Sequence, residues 1–315
     1  MTREIETRIC RFLIEAGWGD AQRRPLAGDA SARRYERLER GQTRAVLMIA
    51  PNMGDEIQRF MRIGHWLTEN GFSAPRLLAQ ADGLLLLEDL GDDLVARLIA
   101  QDPAREAGLY REITDFLLAL HARPAPAGLS TLDAEALSNL AQLCGDWYLP
   151  AAGREAADFA VPSLIAQAYS ALDPVAPVMC LRDFHAENLL WLPERSGTAR
   201  LGVLDFQDAV AAHPAYDLVS ALQDARRDVA PELEAEMFDY YVRQTGAGAD
   251  DPLHHRRIDG RAAVLVHARD EAAGQNGEQQ ENQRHDGDDR RHHVGKPTRE
   301  HEKHPPTLRK AERRR

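Results

Sequence analysis

A chain of 315 residues with 43% hydrophobic composition is long enough for a two-lobed enzyme with a buried core. Its net charge of -11 is unevenly spread: residues 1–251 carry 24 Arg against 39 acidic residues, whereas residues 252–315 hold 15 basic and 11 acidic ones. The acidic body excludes a nucleic-acid backbone as main partner, the lack of any apolar run of about 18 residues excludes a membrane-spanning helix, and three scattered cysteines exclude a disulfide scaffold.

The N-terminus carries acidic Glu4 and Glu6 where a targeting peptide would avoid them, so a cytoplasmic protein is expected. Its thiols, Cys10, Cys144 and Cys180, are expected to be reduced and mostly buried. The spacing predicts a helix from Ile5 to Ala16, then strands around Ser31–Leu38 and Ala45–Ile49 joined by a turn at Gly41 and Gln42. From Asp55 to Asn70, Ile57, Phe60, Met61, Gly64 and Leu67 share one helical face, with acidic residues in the first turn and Gly71 beyond the end. Leu84–Leu87 reads as a buried strand, and the acidic link from Glu88 to Asp92 marks a change of character.

The second part is mainly helical. Asp102 and Pro103 start a helix whose buried face is Leu109, Ile113, Phe116, Leu117 and Leu120, and short strands follow at Val178–Leu181, Leu189–Leu192 and Leu201–Leu204. The expected organisation is an α+β fold with a small β-rich N-lobe over residues 1–91 and a larger, mainly helical C-lobe over 92–251. Residues 252–315 hold eight of the twelve His, every Lys and no aromatic residue. That composition leaves too little apolar surface to offset ordering entropy, so a disordered tail is expected, or an aberrant ending of the kind that out-of-frame GC-rich sequence gives. Its His spacings fit no particular metal site.

Chemistry concentrates between Leu181 and Asp205. Asp183 and, five positions later, Asn188 precede one apolar run, and Asp205 closes the next, a pattern that resembles the kinase catalytic loop. Phosphoryl transfer needs a carboxylate beside the attacking hydroxyl and hard oxygen ligands for magnesium, and a hairpin between the runs would gather all three side chains. By that resemblance Asp183 is expected to orient and deprotonate the hydroxyl, and Asn188 and Asp205 to hold Mg2+. Singly, each also fits a turn cap, a strand start or a surface carboxylate.

These residues, with His213, Pro214, Ala215, Tyr216, Asp217 and Leu218 after them, resemble the aminoglycoside phosphotransferase and choline kinase superfamily, of protein-kinase-like fold. The resemblance implies ATP as phosphoryl donor. It implies that Asp217 holds the catalytic-loop backbone, that Glu88 and Leu90 lie in the hinge at the adenine edge, and that His121 has a packing role. The strand lysine of such kinases is missing, since no Lys precedes Lys296 and its position falls at Met48. Arg33 or Arg34 is the candidate substitute, and as strand neighbours they point to opposite faces.

The run Gly28, Asp29, Ala30, Ser31, Ala32, Arg33, Arg34, Tyr35, together with Asp183–Leu192 and Leu204–Ala209, is similar to the cell-wall sugar kinases that phosphorylate the anomeric hydroxyl of N-acetylmuramate and N-acetylglucosamine. Those enzymes share the missing lysine. Ser31, Arg33 and Arg34 are thereby implied in nucleotide binding, and His185, Glu187, Gln207 and Asp208 lie where the sugar could be read. A small amino-sugar substrate, with neither nucleic acid nor membrane as partner, is the expectation. A kinase for an aminoglycoside or choline, and a non-catalytic nucleotide-binding protein, are the other readings of the same residues.

Overall fold

The computed structural model describes residues 3–26, 33–51, 53–154, 159–172 and 174–246, and Ser31 and the 252–315 tail lie outside them. Helix α1 (Arg3–Glu15) leads into β1 (Gln22–Pro25), β2 (Arg34–Arg40), β3 (Thr43–Ile49), α2 (Gly54–Glu69), β4 (Leu77–Ala81) and β5 (Leu84–Glu88). The five strands form one antiparallel sheet in the order β1-β2-β3-β5-β4. Arg40 pairs with Thr43 across a two-residue turn in which Gly41 takes a φ of 59°, a backbone state that glycine adopts without steric cost.

Alternation along the strands decides what each face covers. Ala45, Leu47, Ile49, Leu84 and Leu86 meet Ile9, Phe12 and Leu13 of α1, whereas Met48, Leu85 and Leu87 join Ile57, Phe60, Ile63 and Leu67 of α2. A one-residue slip in β3 would send both sets to the wrong helix, so the register is strongly specified. Strands β1 and β4 escape sequence reading because they are mostly exposed edge strands: Gln22–Pro25 is polar, and Leu77 and Leu78 are open to solvent.

Past Glu88 the chain turns helical: α3 (Val95–Gln101), α4 (Glu106–His121), β6 (Thr131–Leu132), α5 (Ala134–Leu143), α6 (Leu149–Ala151), α7 (Val161–Ser170), β7 (Val178–Cys180), β8 (Leu189–Trp191), β9 (Leu201–Val203), β10 (Val210–Ala212), α8 (Ala215–Leu222) and α9 (Pro231–Thr245). Asp102 starts a 3-10 turn by accepting from the Ala104 amide, and that turn runs into α4. The buried face of α4 carries the expected Leu109, Ile113, Phe116, Leu117 and Leu120, with Tyr110 and Thr114 added. One core cluster runs from Met48 and Phe60 through Phe72 and Phe116 to Met237. The described residues thus belong to one compact unit.

All three cysteines are free, but Cys10 and Cys144 are exposed and only Cys180 is buried. The expectation of mostly buried thiols is corrected here: Cys10 follows buried Ile9 but faces away from the sheet, and Cys144 belongs to a π-helical turn of which only Gly145 is buried. Among the described residues no helix is long and apolar enough to cross a membrane.

Candidate active site

The loop from Leu181 to Asn188 is held from behind. The Asp217 carboxylate, fully buried at the start of α8, accepts from the Leu181 amide at 2.6 Å and the Arg182 amide at 3.0 Å, and the Ser220 hydroxyl donates to the Arg182 carbonyl at 3.1 Å. These bonds fix Arg182 at a φ of 72°, a left-handed state that costs a non-glycine residue on the order of 1 kcal/mol. Burial, opposed by the two amide donors, raises the Asp217 carboxyl to about 7.

Asp183 itself is exposed on the outer side of this loop. Its carbonyl accepts from Asn188 Nδ2 at 2.9 Å, and the same nitrogen lies 3.2 Å from His185 Nε2. With its amide nitrogen committed to the loop, Asn188 has its carboxamide oxygen left over as a ligand atom. Strands β8 and β9 pair from Leu189–Val203 to Trp191–Leu201, and the Leu204 amide donates to the Asn188 carbonyl at 2.9 Å. The hairpin therefore sets Asn188 against Asp205, whose φ of 55° turns it out of the strand direction.

Both side chains line a cavity of about 420 Å3, together with Val46, Leu90, Leu190 and Leu204. Asp183 is not part of that lining; it stands beside the cavity, joined to it through Asn188. Arg33 and Tyr35 also enter the cavity, and Arg33 Nη2 lies 3.5 Å from Asp205 Oδ1. Arg34 does not enter it; its guanidinium is 3.1 Å from Glu36, on the other side of the strand. Val46 and Met48 share a face of β3, so Met48, 1% exposed, fills the place where a strand cation would stand.

Gln207, 3% exposed, donates to Asp205 Oδ1 at 2.8 Å, which makes it a support for that carboxylate. Asp208 lies 3.7 Å from Arg59 and Glu187 lies 3.6 Å from Arg226. His185 is 4% exposed, and its ring is held below the usual histidine range first by burial and then by Arg226. The Glu88 carboxylate is taken up by two arginines: Arg76 reaches it at 3.0 Å and Arg195 at 2.8 Å, and Arg195 also donates to the Ser73 hydroxyl at 2.6 Å. The Glu88 amide donates to the Arg76 carbonyl at 2.9 Å, and both Glu88 and Leu90 line the cavity.

Sequence reasoning missed three groups here. Tyr35 ends the run that resembles the sugar kinases but was given no role there, and it lines the cavity. Phe60 of α2 stacks on Phe206 at a centroid distance of 4.9 Å, and Gly64 sits one turn on, where an added Cβ would lie 3.3 Å from the Phe206 ring. A large residue there pushes the aromatic that follows Asp205. Gly64→Leu is expected to cost about 1–3 kcal/mol of stability and to weaken nucleotide binding, read by urea denaturation and isothermal titration; unchanged nucleotide affinity would refute the coupling. Arg226, from the loop between α8 and α9, is the third.

His121, Cys180 and Asp217 approach within 4.8 Å of one another. His121 Nδ1 bonds the Tyr241 hydroxyl at 2.7 Å, Asp217 accepts from its two amides and Cys180 Sγ lies 3.6 Å from the His213 carbonyl, so within this polar layer His121 Nε2 is left without a hydrogen-bond partner among the described residues. Burial lowers the His121 ring to about 4. A histidine depressed from 6.5 favours the native state fully above pH 6.5, and that stability is lost as pH falls towards 4, with a ceiling of about 3 kcal/mol. His121→Gln should therefore show a smaller stability loss than the parent between pH 7.5 and 4.5 in urea titrations; parallel losses would contradict it.

The phosphotransferase enzyme family model matches residues 22–256. A relative named N-acetylmuramate/N-acetylglucosamine kinase from Caulobacter vibrioides is 39% identical, covering 77% of this chain and 78% of its own. One of the same name from Pseudomonas aeruginosa is 29% identical over 79% and 74%. Among solved structures, the streptomycin–ATP–APH(2")-IIa ternary complex superposes with a TM-score of 0.57 at 16% identity, covering 76% of this chain and 84% of that one. A choline kinase from Streptococcus pneumoniae gives 0.54 at 14%, covering 82% and 99%. At such identities the structural likeness is one of fold. With a matched segment that takes in the sheet, the β8–β9 hairpin and the Asp217 helix alike, the chain belongs to the phosphotransferase enzyme family.

Proposed function

We propose that the protein transfers the terminal phosphoryl group of ATP to the anomeric hydroxyl of N-acetylmuramate and N-acetylglucosamine in the cytoplasm. The observation that carries the reading is the hairpin that sets Asn188 against Asp205 in one cavity, with exposed Asp183 one hydrogen bond away. The 39% identical relative supports the choice of sugar. Residues 1–91 form the nucleotide-binding lobe in this reading, and residues 92–251 the catalytic and sugar-binding one.

Asp183 accepts the proton of the attacking hydroxyl, and its exposure leaves room for an acceptor in front of it. The Asn188 carboxamide oxygen and the Asp205 carboxylate are hard oxygen donors that fit Mg2+, which supplies charge neutralisation for the phosphates when bound. Arg33, beside Asp205 and inside the cavity, supplies the fixed positive charge that Met48 cannot. Val46, Leu90, Leu190 and Leu204 give the apolar walls that a purine needs.

The deciding experiment is phosphate transfer from radiolabelled ATP to each of the two sugars, choline and kanamycin, with Asp183→Asn as control. Label on an amino sugar with a free C1 hydroxyl, and none when C1 is blocked as a methyl glycoside, is the expected result. Transfer to choline or kanamycin instead would replace the sugar reading, and nucleotide binding with no transfer would replace the catalytic one.

A further inference from the structure

The loop between α8 and α9 presents two successive arginines that are held in different ways. Arg227 is pinned: its guanidinium lies 2.7 Å from Glu106 and also donates to the Tyr110 hydroxyl, both on α4. Gln223 bonds Glu234 at the other side of the same loop. Arg226 is held loosely, 3.6 Å from Glu187 and 3.9 Å from the buried Asp224, with its side chain about half exposed. Neither distance is that of a formed charge-assisted hydrogen bond, which lies near 2.8 Å. A rigid loop thus carries one exchangeable cation to the edge of the catalytic loop.

That cation stands at the edge of the cavity, on the side of the Asp183 loop. Glu187 precedes Asn188, whose amide binds the Asp183 carbonyl, and it also lines the cavity. His185, buried between Asp183, Glu187, Asp224 and Arg226, has an Nδ1 with no hydrogen-bond partner among the described residues. Among the described cations near the cavity, Arg33 is beside Asp205 and Arg37 is locked by Asp89 at 2.7 Å and Asp92 at 2.8 Å. Arg226 therefore stands on the Asp183 side with its charge only partly used.

The two sugars of the proposed function differ at one place in charge. N-acetylmuramate carries a lactyl ether with an ionised carboxylate on O3, and N-acetylglucosamine has a neutral hydroxyl there. We infer that Arg226 is the specificity-determining residue that reads the lactyl carboxylate, exchanging its loose contact with Glu187 for a bidentate pair with the sugar acid. With the neutral sugar the Arg226–Glu187 contact stays in place, so one site accepts both substrates. This inference rests on the amino-sugar reading above.

The test measures kcat and KM for both sugars in the full-length parent, Arg226→Gln, Arg226→Lys and Glu187→Gln. Arg226→Gln should lower the muramate-to-glucosamine ratio of kcat/KM by about ten- to hundredfold, chiefly through the muramate KM. Arg226→Lys should restore part of the ratio, because it keeps charge without the fork. Glu187→Gln, which removes the competing carboxylate, should raise it. A ratio within about threefold of the parent in Arg226→Gln, whether both activities persist or both fall together, overturns the assignment. A parent enzyme that phosphorylates neither sugar overturns the functional reading, and this inference with it.

Discussion

Asp183→Asn is expected to lower kcat by about a hundred- to ten-thousandfold, the range that a positioned general base contributes, while the urea midpoint stays where it is in the parent. The asymmetry follows from placement. The side chain is exposed, and the loop's tie to Asn188 uses the Asp183 backbone carbonyl, which the substitution leaves untouched. Asparagine keeps the shape and loses the capacity to take a proton. Rapid-quench measurement of the first turnover with either amino sugar separates chemistry from product release. A burst of parental size from the variant would remove Asp183 from the base role.

Asp217→Ala should act the opposite way, on the fold first and on activity through it. The buried amide of Leu181 and the half-buried one of Arg182 lose their acceptor, and at about 1–3 kcal/mol for an unsatisfied donor, less for the half-buried one, the total comes to about 3 kcal/mol. Arg182 also loses the contacts that hold its left-handed backbone. Against a typical stability of about 5–15 kcal/mol this is a large share. The measurement is urea denaturation at pH 8, above the carboxyl's value of about 7, where the parent carboxylate is ionised. Asp217→Asn, which retains one acceptor oxygen, should lose roughly half as much. A loss below about 1 kcal/mol for the alanine variant would mean that the loop is held elsewhere.

The catalytic segment was readable from sequence because its geometry is local. A hairpin with paired apolar runs needs only the spacing of Leu189–Leu192 and Leu201–Leu204 to bring positions 188 and 205 together. Helix α2 and the buried strand β5 were equally plain, the first because its apolar residues repeat at the helical period, the second because four leucines in a row form a short continuous apolar run. Helices α5 and α7 were not seen, although Leu137, Leu140 and Ala141 recur at helical spacing; in the structure α5 has no buried residue and α7 only Pro162. The choice between Arg33 and Arg34 needed the sheet, because alternation says that they diverge but not which one meets Asp205. Arg226 was out of reach altogether, as its partner Glu187 is distant in sequence and neither lies in a patterned element.

The contacts around Glu88 bear on how the molecule can move. Arg195 belongs to the turn that joins β8 to β9, and it grips both the end of β5 and the Ser73 hydroxyl, while the Val203 amide donates to the Ser73 carbonyl. The hairpin that carries Asn188 and Asp205 is thereby riveted to the sheet. Any displacement of β5 would therefore carry the Asn188–Asp205 hairpin along with it, so that the two move as one piece.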